Sequence, residues 1–125
     1  MIILKLVFPE IKLYLKWKIV KLLQSLLNAV WNEDVESVQG YLDMGADPSW
    51  IFNGYPLIMH AVCLGNEDMV NLLIDAGAKQ TQEAFGFALE RGIGSMIRLL
   101  MYKGILPKHY EPREGFGYYP QRFAY

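Results

Sequence analysis

Residues 27–46 and 59–78 of this chain are two versions of one segment. At an offset of 32, Ala29 falls on Ala61, Val30 on Val62, Val38 on Val70, Leu42 on Ile74 and Asp43 on Asp75, and Gly45-Ala46 falls on Gly77-Ala78. A third version follows at an offset of 27: Ala88 matches Ala61, Gly92 matches Gly65, Ile97 matches Val70, Leu99-Leu100 match Leu72-Leu73, and Gly104 matches Gly77. A repeat of this length is one supersecondary unit. Such a unit cannot cover its own apolar face, so it must stack on its neighbours to make a core.

Each version reads as two short helices. Val70, Leu73 and Ile74 recur at helical spacing. The small alanine of the first helix allows close approach, and the glycine after the second helix (Gly45, Gly77, Gly104) suits a left-handed cap. Asp34 and Asn66 are N-cap candidates for the second helices. The pattern resembles the ankyrin repeat, most closely in the middle version, from Asn53-Gly54-Tyr55-Pro56-Leu57 through Ala61, Gly65, Val70 and Leu72-Leu73 to Gly77-Ala78. It departs from that family in three places. Pro56-Leu57-Ile58-Met59 stands for the Thr-Pro-Leu-His box, so His60 is not the family's structural histidine; Glu33 stands where a glycine is expected between helices; and the connection into the third version is five residues shorter, which removes one turn finger. The resemblance implies an all-α solenoid of three helix-turn-helix repeats, at about 24–55, 56–82 and 83–106. Residues 1–23 would form an N-terminal capping segment and residues 107–125 an irregular aromatic C-terminal tail.

The flanks are less constrained. Ile11 to Ile19 alternates apolar and polar residues, a strand signal. On a helix, Ile11, Leu15, Ile19, Leu22 and Leu26 share a face, and Pro9 suits a first turn. A capping helix is expected, with a hairpin as the rival, and either would cover the first repeat. The tail from Lys108 to Tyr125 has no period but carries Tyr110, Phe116, Tyr118, Tyr119, Phe123 and Tyr125, so it is expected to pack along the last repeat.

The net charge of -1 hides segregation. Residues 1–21 hold five lysines and one acid, residues 22–83 hold nine acids and one base, and residues 84–125 hold six bases and three acids. The acidic middle repels nucleic acid and favours a partner protein with a basic surface, although acids such as Glu33, Asp34, Glu36, Glu67 and Asp68 also suit helix N-termini. Cys63 is the only cysteine, so no intrachain disulfide or cysteine-based metal cluster is possible; this fits a cytoplasmic protein. Four lysines interrupt the apolar run from Met1 to Val20, and no small-residue cleavage site follows. The segment is therefore expected to belong to the mature chain, neither spanning a membrane nor acting as a signal.

No arrangement points to catalysis, to a cofactor or to a metal. His60 and Cys63 are three apart, but no third residue is placed to orient a base. Gly92-Ile93-Gly94 lacks the strand and the Gly-Lys-Ser/Thr of a phosphate loop. The family resemblance instead implies a non-enzymatic module that meets its partner with the turn fingers and the ends of the first helices. By position these are Trp50, Phe52, Asn53 and Tyr55 in the finger, and Trp31-Asn32, Cys63-Leu64 and Glu90-Arg91 at the helix ends, with Trp31, Cys63 and Glu90 forming a row. Covering a cognate toxin or enzyme, as an inhibitor or immunity protein does, is one such role, and scaffolding is another. The alternative is a membrane-surface adaptor using the lysine-rich N-terminal segment.

Overall fold

The computed structural model describes residues 9–111, with side chains from Leu13 onward. The described chain is mostly helical. Between Glu10 and Gln39 there is neither glycine nor proline, and helix α1 runs unbroken over Pro9–Trp31. It passes straight through the boundary expected at residues 23 and 24. The alternation of Ile11–Ile19 is therefore helical, and the hairpin reading is overturned. Helix α2 (Val35–Asp43) packs back on α1. A two-stranded hairpin follows, β1 (Ile51–Phe52) and β2 (Tyr55–Pro56). Ile51 pairs with Pro56 and Phe52 with Tyr55. Asn53 and Gly54 both take positive φ, as a tight type I′ turn requires. Helices α3 (Leu57–Leu64), α4 (Glu67–Asp75), α5 (Thr81–Arg91) and α6 (Gly94–Tyr102) complete the order.

The helices form three pairs, α1 with α2, α3 with α4 and α5 with α6. First helices touch first helices (α1 on α3, α3 on α5), and second helices touch second helices (α2 on α4, α4 on α6). The core lies between the pairs. Leu26, Leu27, Val30, Val38, Leu57, Ile58, Met59, Val62, Met69, Val70, Leu73, Met96 and Leu100 are all buried in it.

Equivalent residues make equivalent caps. Asp34 and Asn66 accept from the amides of Ser37 and Met69 at 3.2 and 3.0 Å, as their N-cap reading requires. After the second helices, the amide of Ala46 reaches the Tyr41 carbonyl and that of Ala78 reaches the Leu73 carbonyl. Gly45 and Gly77 turn left-handed between, at φ 96° and 95°. Inside the pairs, Glu33, Gly65 and Gly92 share one left-handed conformation, with φ of 58°, 69° and 68°.

Two connections differ. Thirteen residues join α2 to α3 and hold the hairpin, whereas five join α4 to α5 and hold no strand. Beyond α6, residues 105–111 run back over α5 as a strap. The Lys108 amide donates to the Gln82 carbonyl at 3.0 Å. Gly86 lies directly beneath the Lys108 carbonyl, where any Cβ would collide with backbone. The Tyr110 hydroxyl donates to the Gly54 carbonyl at 2.6 Å. The expected packing of the tail therefore holds for residues 108–111, and its remaining aromatics, Phe116 to Tyr125, lie outside the described residues. Among the described residues of the N-terminal segment, only its last turn packs on the first pair. Every side chain from Leu13 to Ile19 is exposed, and full burial begins at Leu23.

Candidate functional site

The C-terminal ends of the three first helices come together with β2 around one cavity of about 140 Å³. Trp31 closes α1, Met59, His60 and Cys63 come from α3, and Phe87 and Arg91 come from the last turns of α5. Tyr55 enters from β2. Four residues expected at a partner surface (Trp31, Tyr55, Cys63 and Arg91) thus share one pocket.

His60 is the node beneath it. Only 1% of its surface is exposed. The Trp31 indole N–H, which can only donate, gives its hydrogen to His60 Nδ1 at 3.2 Å. That leaves the proton on Nε2, which donates to the Phe52 carbonyl at 3.1 Å. Burial pushes the pKa of His60 down to about 4, and its hydrogen bonds to backbone only partly oppose this. The ring is neutral at pH 7. Trp31 and Phe52 each meet it edge to face, with centroids 5.9 and 6.1 Å away.

The walls are apolar and aromatic. Tyr55 packs against Phe87 at 6.0 Å and against Tyr110 of the strap at 6.0 Å. The Arg91 guanidinium lies 4.9 Å over the Phe87 ring. No carboxylate among the described residues forms an ion pair with it. Cys63 is exposed along one edge, but partial burial pushes its thiol up and Arg91 only partly offsets this. A neutral, doubly hydrogen-bonded imidazole beside a protonated thiol has no activated nucleophile to offer. Among the described residues no group of three His, Cys, Asp or Glu could hold a metal ion.

The finger reading needs correction. Phe52 is completely buried and cannot touch a partner. Its ring packs on His60 and its carbonyl anchors that histidine. Trp50 is half-buried against the core, with its carbonyl accepting from the Leu57 amide at 3.0 Å. With no second finger beside it, the hairpin folds its aromatics inward. Asn53 serves the turn through its positive φ. Leu64 is half-buried against the core, and Asn32 is exposed beside the pocket-lining Trp31. Glu90 does not join the row of Trp31 and Cys63; Arg91 does. The Glu90 carboxylate instead meets His109 Nδ1 at 2.7 Å, and Glu111 meets Nε2 at 2.6 Å. These two carboxylates, Glu111 first, hold the exposed His109 above its ordinary pKa.

Sequence reasoning passed over Met59 and Phe87. Phe87 sits one turn before Arg91, so the helical period that marked Arg91 also marks it.

Among the described residues no helix is long and apolar enough to cross a membrane. No protein-family model, curated protein or solved structure matches this chain.

Proposed function

We propose that the chain is a short ankyrin-type stack that acts without catalysis, binding a partner protein by seating one apolar side chain in the Trp31–Tyr55–Phe87 pocket. The observation that carries this reading is the pocket itself. An apolar cavity of roughly 150 Å³ holds a benzene-sized group, so this one suits a leucine or phenylalanine side chain. Full burial of such a group contributes about 1.5–3 kcal/mol before the costs of association. Arg91 supplies a cation at the rim for a carboxylate beside that side chain. Glu33, Asp34, Glu36, Glu67 and Asp68 are exposed at the starts of α2 and α4, just beyond Trp31 and Cys63 in the chain. They favour a partner whose wider surface is basic. Steric cover of a partner's active site, in the manner of an inhibitor or immunity protein, follows from a rigid stack with one anchoring pocket. A cytoplasmic setting belongs to the same reading and is supported by a lone, exposed thiol.

The test is to fill the pocket. Cys63→Trp places a ring in the cavity from an exposed position. Affinity capture with this variant should lose the partner held by the unchanged chain, by roughly tenfold or more, while circular dichroism stays the same. Equal capture by both forms would remove the pocket from the binding surface.

A further inference from the structure

A second surface lies on the exposed half of α1. Leu13 is 67% exposed, Tyr14 52% and Trp17 56%. At 3.6 residues per turn these three share one side of the helix with Lys21. In the C-terminal half of α1 that side carries the exposed Asn28, while Leu23, Leu26, Leu27 and Val30 are buried on the other. Leu13, Tyr14 and Trp17 therefore face away from the stack. Lys18 flanks them on one side, whereas Lys16 lies in line with the buried Leu23 and Leu27. Lys18 Nζ lies 5.2 Å from the Tyr14 ring centre and Lys21 Nζ 5.1 Å from that of Trp17. Leu15 and Ile19 continue the stack-facing side and take no part in this surface.

From this arrangement we infer that the Leu13–Tyr14–Trp17 face of α1 docks on an anionic lipid surface. Its chemistry suits the polar boundary of a bilayer. Tryptophan and tyrosine favour that depth, and lysines beside them reach the headgroups while their stems cover apolar surface. The charge is one-sided: from Ile11 to Asn32 there are four lysines and no acid. Each lysine near an anionic surface adds to the attraction. The acidic body is attached to the opposite side of the helix and is held away from the lipid. A second copy is a poorer occupant, because two such faces would bring lysines against lysines with no acid between them.

Co-sedimentation of the full chain with vesicles tests this. The chain should pellet with equal parts phosphatidylcholine and phosphatidylglycerol, stay in solution with phosphatidylcholine alone, and be released by salt. Leu13→Glu with Trp17→Glu should abolish pelleting without changing the melting temperature, since both side chains are exposed. Met101→Glu with Leu106→Glu, which changes net charge equally on exposed residues elsewhere, should leave it intact. Lys18→Gln with Lys21→Gln should weaken it by roughly tenfold or more. The inference is overturned if the unchanged chain stays in solution with the anionic vesicles. It is also overturned if the Leu13/Trp17 variant still pellets, or if the unchanged chain is a dimer that these two substitutions dissociate.

Discussion

Two residues carry chemistry unusual for where they sit. Glu33 holds the left-handed conformation that glycine holds at the matching positions 65 and 92. A side chain in that region costs about 1–2 kcal/mol, and glycine returns part of the gain through its freedom when unfolded. Glu33→Gly should therefore raise stability by about 0.5–1 kcal/mol, read as a higher urea midpoint at unchanged slope. A lower midpoint would mean that the 3.2 Å bond between Asn66 Nδ2 and the Glu33 carboxylate outweighs the strain. His60 makes the fold acid-sensitive. The unfolded chain takes up its proton near pH 6.5, about the ordinary histidine value, while the folded chain does so only near 4. Between these values the unfolded state binds more protons, so stability falls as pH is lowered. From about pH 7.5 to about pH 5 the loss should be about 2 kcal/mol. His60→Gln can satisfy the same two partners without titrating and should flatten the profile; an equally steep profile in that variant would assign the effect elsewhere.

At the scale of elements, the strap is held through the Lys108 amide, His109 and the Tyr110 hydroxyl. Gly86→Ala would drive a methyl into the Lys108 carbonyl. The strap must then lift, at about 1–3 kcal/mol, and the amide of Lys108 should lose protection in hydrogen exchange while the amides of α3 keep theirs. His109 adds a pH dependence opposite in sign to that of His60. Its pKa is raised in the fold by Glu111 and Glu90, so its contribution is fully present below about pH 6.5 and is lost as pH rises through the folded value. Lys108 exchange should quicken on going from mildly acid to mildly alkaline solution, beyond the intrinsic rate; a matched intrinsic slope would show that the ion pairs do not hold the strap. The sequence made the helix pairs and their caps legible, because each is a local pattern that recurs along the chain, and the drop in offset from 32 to 27 exposed the missing second finger. It did not make α1 legible as one helix. Ile11–Ile19 fits both periods, and only the lack of any breaker up to Gln39 joins it to the first repeat. Nor did it reveal where Trp50 and Phe52 point, since a hairpin's inner face is set by what lies across from it.

At the scale of the whole molecule, the middle pair meets both neighbours and the hairpin sits within its packing. Phe52 is as buried as any core leucine, so Phe52→Ala should cost about 3–5 kcal/mol and lower the single urea transition. A loss under about 1 kcal/mol would return the finger to the periphery. The pocket was half legible for a similar reason. Helix ends at equivalent repeat positions gave Trp31, Cys63 and Arg91, whereas the burial of His60 and its tie to Phe52 depend on a loop folded inward. The strap has a consequence for that pocket. Tyr55 is at once one of its walls and the seat of Tyr110. A guest that steadies Tyr55 must tighten the hold on Tyr110, and loosening Tyr110 must weaken the guest by the same factor. Any such guest and the docking of Tyr110 would thus be coupled, each strengthening the other.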